Sequence, residues 1–195
     1  MILSTEEYDL CPALLRRAHY CEEKMKDTIR IAGVVRESIV DGPGLRFAVF
    51  TQGCGHHCPE CHNPETWDFG GGYDCEIEKI IKAMDENPLL DGITLSGGDP
   101  LYQPEASYSL ASKVKEKGLN VVVFTGYTYE ELMELQKEDP WVGKLLEVTD
   151  ILIDGRYEKD LRDLTLLFRG SQNQRVIDMN RSREEGRPVL HEKYN

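Results

Sequence analysis

Four polar motifs in this chain each begin where an apolar, β-rich run ends. Cys54-Gly-His-His-Cys58-Pro-Glu-Cys61 follows the run Phe47–Thr51, and Ser96-Gly-Gly-Asp-Pro100 follows Gly92–Leu95. Thr125-Gly-Tyr127 follows Asn120–Phe124, and Asp154-Gly-Arg156 closes Asp150–Asp154. In parallel α/β folds the carboxyl ends of the strands carry the ligands. Four such motifs at four strand ends therefore converge on one rim.

Between these runs the periodicity turns helical. Ile77, Ile80, Ile81 and Met84 fall at i, i+3, i+4 and i+7, which predicts an amphipathic helix over 76–86. Pro104 suits the first turn of a second helix that Gly118 ends. Thr128 and Glu131 have capping-box spacing for a third, and Pro140 opens a short fourth. A β-like run at Ile29–Val35, the turn Asp41–Gly44, a strand near Leu45–Thr51 and a last strand at Arg175–Asp178 complete the pattern. Buried strands alternating with helices predict an α/β fold with a parallel sheet.

At 195 residues and 40% hydrophobic, the chain suits one well-buried domain, placed at 29–180. Residues 1–28 read as an extension, helical around Pro12–Glu23, and 181–195 as a polar tail. No apolar stretch approaches a membrane span, and Glu6, Glu7 and Asp9 stand where a signal peptide would be basic and then apolar. The expectation is a soluble, cytoplasmic protein with no membrane partner. A net charge of −12 argues against nucleic acid, whose phosphates demand a basic face. Arg169, Arg175, Arg181, Arg183 and Arg187 read as a solvated arginine-rich face, with a docking surface for an acidic partner as the alternative.

Cys54, Cys58 and Cys61 are close enough along the chain to converge on one inorganic centre. A closed structural zinc site takes four ligands, one of which His56, His57 or His62 would have to supply. An iron–sulfur cluster with three cysteines keeps one iron free for a ligand. Spacing alone leaves these two readings tied, and a thiol redox pair at Cys58-Pro-Glu-Cys61 would leave the third cysteine unexplained. His56 and His57 read as solvent-facing loop residues, and Cys11, Cys21 and Cys75 as ordinary reduced thiols. Gly97 and Gly98 let backbone approach a ligand closely, with Asp99 an acceptor for an ammonium group. Asp154 and Arg156 offer an acid for hydroxyls and a guanidinium for a carboxylate, or a surface ion pair. Arg169-Gly-Ser-Gln-Asn-Gln-Arg175 either closes a turn or bonds an extended peptide.

Taken together, the cysteine motif and the Gly-Gly-acid motif after the next strand resemble the radical S-adenosylmethionine superfamily. Asp41-Gly-Pro-Gly-Leu-Arg46, Thr51-Gln-Gly-Cys54, Cys61-His-Asn-Pro-Glu-Thr-Trp67, Ser96–Leu101, Thr125–Tyr127, Ile153–Gly155 and Arg169–Arg175 narrow the likeness. They are similar to the activating proteins of anaerobic (class III) ribonucleoside-triphosphate reductases, from about Ile29 to Asp178. The resemblance implies an incomplete, open (β/α) barrel. Cys54, Cys58 and Cys61 would hold three irons of a 4Fe–4S cluster, and the fourth iron would chelate S-adenosyl-L-methionine. Gly97, Gly98 and Asp99 would receive its ammonium group, Glu60 and His62 would lie along the nucleoside, and Asp154 and Arg156 would reach the ribose or carboxylate. The superfamily often has an aromatic residue where Glu60 stands, so backbone is the expected adenine contact there. Reduced flavodoxin or ferredoxin would supply the electron for cleavage to methionine and a 5′-deoxyadenosyl radical. That radical would take a hydrogen from a glycine of the reductase, whose loop would lie beside Asn173, Gln174 and Arg175. Alternatives are an activase of another glycyl-radical enzyme such as pyruvate formate-lyase, a 7-carboxy-7-deazaguanine synthase, and a non-catalytic zinc- or cluster-binding module.

Overall fold

The computed structural model describes residues 26–195. In chain order it contains β1 (Thr28–Ser38), β2 (Arg46–Thr51), β3 (Tyr73–Glu76), α1 (Ile77–Asp85), β4 (Gly92–Gly97) and α2 (Pro104–Glu116). β5 (Asn120–Phe124), α3 (Tyr129–Glu138), α4 (Pro140–Val148), β6 (Ile151–Asp154), β7 (Arg175–Asp178) and α5 (Met179–Glu185) follow. All seven strands join in one sheet, ordered β3-β1-β2-β4-β5-β6-β7.

The expected parallel arrangement holds only at the centre. β2, β4, β5 and β6 pair in parallel, each neighbour reached through a helix-bearing crossover. At one edge β1 runs antiparallel to both β2 and β3, and at the other β7 runs antiparallel to β6. The fold is thus a mixed α/β sheet. Direction was not readable because a buried run has the same composition whichever way it points.

One face of the sheet packs on the helices. Phe47, Val49, Ile93, Leu95, Val121, Val123, Leu152 and Ile177 alternate along their strands and join Ile77, Ile80, Ile81 and Met84 of α1 with Leu110 and Val114 of α2 in one core. Burying an aliphatic side chain of this kind contributes about 1.5–3 kcal/mol, so α1 is held by its apolar stripe and not by propensity. Thr128 and Glu131 form the expected capping box at the start of α3.

Among the described residues no helix packs on the opposite face. Val122, Ile153 and Val176 form a small cluster there with Phe124, Ile151 and Tyr194. A Cβ on Gly42 would meet Thr94 and Val122, so the 39–44 turn lies over this face. Arg46 is fully buried beside it and donates to Thr94 Oγ1 at 3.1 Å and to the Ile93 carbonyl and the Asn120 side chain. Burial lowers its pKa to about 10 while Asp91 and Asp150 pull the other way.

The expected polar tail is tied down. Asp178 N donates to Val189 O at 2.9 Å, His191 N to Val176 O at 2.8 Å, and Val189 is buried. The expected helix at Pro12–Glu23 lies outside the described residues, as do Cys11 and Cys21. Among the described residues no helix is long and apolar enough to cross a membrane.

Candidate iron–sulfur site

The cysteine loop is anchored at its root by backbone and amide groups. Gly53 N donates to Thr66 O at 2.8 Å and Cys54 N to Trp67 O at 3.1 Å. Gln52 Nε2 bonds the Asp68 carbonyl at 2.7 Å, and Gln103 Nε2 bonds the Gln52 carbonyl at 2.9 Å. Within the loop His57 (φ 49°) and Glu60 (φ 57°) take left-handed backbone. A non-glycine residue pays for that conformation with about 1–2 kcal/mol, and here it coils the loop so that Cys54, Cys58 and Cys61 ring one cleft of about 100 Å³.

Gly97 and Gly98 line the same cleft. A Cβ on Gly97 would stand 2.5 Å from Phe50 Cα, and one on Gly98 would stand 2.4 Å from Gly53 O. Gly98 N donates to Thr51 O at 2.7 Å and Asp99 N to Gly53 O at 3.0 Å. The two glycines are therefore required where the ends of β2 and β4 touch, and that contact brings backbone to the cleft.

A 4Fe–4S group fits these walls. They carry three thiols and no carboxylate, a soft donor set suited to iron–sulfur. Burial raises the Cys54 pKa to about 11, with Asp99, Cys58 and Cys61 adding to the rise. The Cys58 pKa is raised chiefly by burial, against a backbone hydrogen bond from Tyr157. Among the described residues no three His, Cys, Asp or Glu side chains converge closely enough to share a single metal ion. A cluster asks only that each cysteine hold its own iron. Trp67 Nε1, on a residue of the same wall, is buried without a hydrogen-bond partner.

A second cavity of about 520 Å³ adjoins the first, sharing Cys61, Ser96, Phe124, Tyr157 and Gln174. Asp41, His62, Asn63, Leu164, Phe168 and Arg169 complete much of its wall. His62 packs on Tyr157 with ring centroids 5.0 Å apart. Glu60 points away, into an exposed ion pair with Lys159.

Several expected site residues are engaged elsewhere. The Asp99 side chain is 0% exposed, and its carboxylate accepts from His56 Nε2, Thr125 Oγ1, Gly126 N and Leu101 N. It is not free for an ammonium group. Asp154 accepts from Tyr129 N at 2.7 Å and from Arg175, so it too is spoken for. With Arg156, Asn173 and Arg175 it borders a separate cavity of about 540 Å³. Asn173 Nδ2 bonds the Arg156 carbonyl at 2.8 Å, and Gln174 spans from Gly170 N to Gly155 O. Gln174 alone of these three borders the cysteine cleft.

One further expectation is corrected, and an alternative is weakened. His56 is not solvent-facing: its side chain is 4% exposed. The arginine-rich end is solvated, as expected, at Arg181, Arg183 and Arg187. Its cations are already engaged, which weakens the alternative of a basic docking surface. Arg175 binds Asp154 and Glu130, Arg181 binds Glu192, Arg187 binds Glu185, and Arg183 donates to the Leu146 and Thr149 carbonyls. Arg169 reaches Gln174 O at 2.9 Å. Sequence reasoning also passed over Gln103 and Tyr157, whose neutral side chains carry no motif signal.

Residues 40–177 match the family described as a 4Fe-4S single cluster domain. The anaerobic ribonucleoside-triphosphate reductase-activating protein of Salmonella typhimurium is 36% identical over 146 residues, covering 71% of this chain and 91% of that protein. Its counterpart in Escherichia coli K12 is 34% identical over 151 residues, with the same coverage. The pyruvate formate-lyase-activating enzyme of Clostridium pasteurianum is 38% identical over 132 residues, 65% of this chain and 55% of that enzyme.

Proposed function

Since this chain belongs to the family of anaerobic ribonucleoside-triphosphate reductase-activating proteins, we propose that it installs the glycyl radical of such a reductase. The observation that carries this reading is the ring of Cys54, Cys58 and Cys61 facing the Ser96–Gly98 backbone across one cleft. The chain is an enzyme, a radical S-adenosylmethionine oxidoreductase. A 4Fe–4S cluster bound at these cysteines would supply the one-electron reduction of S-adenosyl-L-methionine that leads to hydrogen abstraction from a glycine Cα of the partner.

The protein's part is to bind, orient and exclude water. Cys54, Cys58 and Cys61 would hold three irons, and the Ser96–Gly98 backbone, in place of the Asp99 carboxylate, would meet the methionyl group. His62, Asn63 and Tyr157 line the way into the 520 Å³ cavity, which takes the nucleoside and the tip of the reductase loop. Gln174 stands between the two compartments. We read the sheet as an incomplete, open (β/α) barrel, whose rim at the strand ends admits a polypeptide. Asn173 and Arg175, at the neighbouring cavity, meet that polypeptide outside the cleft. The setting is cytoplasmic, with flavodoxin or ferredoxin as electron donor.

The test is anaerobic. Reconstituted with iron and sulfide, reduced and given S-adenosylmethionine, the protein yields 5′-deoxyadenosine, and a glycyl EPR signal grows on the co-incubated reductase. Absence of 5′-deoxyadenosine sinks the reading in favour of a cluster-binding module. Cleavage with a signal on pyruvate formate-lyase alone would favour the other activase, against which stands the chain's coverage of only 55% of that relative.

A further inference from the structure

His56 lies between two of the three cysteines, yet its ring turns inward. Nε2 is 2.8 Å from Asp99 Oδ2, and since a carboxylate oxygen accepts, the nitrogen carries the proton. Tyr127 and Tyr102 meet the ring edge-on, with centroids 4.6 Å and 5.7 Å away. Gly126 makes room for it, because a Cβ there would stand 2.4 Å from His56 Cδ2. The same Asp99 oxygen accepts from Thr125 Oγ1 at 2.8 Å and Gly126 N at 2.9 Å, and Oδ1 accepts from Leu101 N at 2.9 Å. One buried carboxylate thus gathers the cysteine loop after β2, the Gly-Gly-Asp turn after β4 and the Thr-Gly turn after β5. The bond from His56 is the side-chain tie between the cysteines and this hub.

We propose that His56 is a positioning residue that holds the cysteine loop in register with the Ser96–Gly98 backbone, with Asp99 the hub of three loops and not a ligand to the ammonium group. This rests on the function proposed above, in which the cluster and S-adenosylmethionine meet across that cleft. Backbone bonds at Gly53 and Gly98 fix the root of the loop, whereas His56 fixes the stretch between Cys54 and Cys58, where a small shift displaces the cluster from its ligand.

The reconstituted full chain is titrated with S-adenosylmethionine while the EPR spectrum of the reduced cluster is recorded. For H56A the midpoint of the ligand-induced spectral change moves up about tenfold, the scale of one hydrogen bond to a charged group. H56Q, whose amide nitrogen reaches the place of Nε2, returns to within about threefold of wild type. G126A, which crowds the ring, reproduces the defect and adds nothing when combined with H56A. An unshifted H56A, a Gln that fails to rescue, or additive effects of G126A and H56A each overturn the proposal. If the wild-type spectrum does not respond to S-adenosylmethionine, the function reading fails, and amide hydrogen exchange on the cluster-free full chain judges the clamp. Faster exchange across 54–58 in H56A, reversed in H56Q, supports it, and equal exchange in all three overturns it. A variant that holds no cluster is judged by the same exchange measurement.

Discussion

Arg175 closes over Asp154, with Nε 3.0 Å from Oδ1, while the far side of its guanidinium grips Glu130 at 2.7 Å. Asp154 is 1% exposed at the end of β6, so β7 is stitched to β6 and to the first turn of α3 by one side chain. Removing one partner of a buried charge strands the other. R175A is expected to lower unfolding free energy by about 2–3 kcal/mol, an amount reduced by the partial exposure of the arginine. R175K, a point charge without the planar fork, recovers less than half of that loss. Denaturant unfolding of the two variants checks both, and an R175A as stable as wild type would refute the stitch.

The outer half of the same pair predicts a pH dependence. Hydrogen bonding from Arg175 holds the Glu130 pKa below its ordinary 4.5. A depressed carboxylate contributes stability above its unfolded value and loses it as pH falls through the folded one. The stability gap between wild type and E130Q is therefore open near neutrality and closes below about pH 4, on the reference value for glutamate. A gap that stays constant from pH 7 to pH 3 in thermal or urea unfolding would show that the pair does nothing.

Cys54, Cys58 and Cys61 are expected to be individually indispensable for cluster content, whereas Cys75 is not. Cys75 sits on the edge strand β3, paired in register with Ile29 and remote from the cleft. Iron and acid-labile sulfide measured after anaerobic reconstitution should fall at least about fivefold in each of C54S, C58S and C61S, since cluster binding rests on the thiolates. C75S should match wild type. Retention of a full cluster by any one of the three would break the ligand assignment.

Gly98 and Gly33 make a matched pair. A Cβ at Gly98 runs into the Gly53 carbonyl, a backbone atom that cannot swing away, while one at Gly33 meets nothing within 4 Å. G98A should destabilise by about 1–3 kcal/mol, as overpacking does, and should reduce cluster content by pushing the root of the cysteine loop. G33A should stay within about 0.5 kcal/mol of wild type. Thermal unfolding and iron content of the two variants test the contrast.

The central strands, their helices and the strand-end placement of the motifs were legible because they are written in local periodicity and turn chemistry. β3 was missed because Tyr73-Asp-Cys-Glu76 is a largely exposed edge segment with no apolar alternation. α5 was missed because only Met179 and Ser182 of its seven residues are buried. The three cysteines could be assigned to one centre from spacing, since neighbours in sequence are neighbours in space.

Which carboxylates and cations were free, by contrast, was decided by contacts between residues far apart in sequence. His56 and Asp99 are 43 positions apart, Thr125 and Asp99 are 26 apart, and Asp154 and Arg175 are 21 apart. Asp99 and Asp154 both looked like ligand-facing acids because their motifs end strands. Packing of those strands buried them, and a buried carboxylate must be satisfied by donors inside the protein. By itself the sequence determined that a three-thiolate site sits on the rim of an α/β sheet. Only the tertiary structure decided that backbone lines the same cleft while the acids beside it hold the loops together.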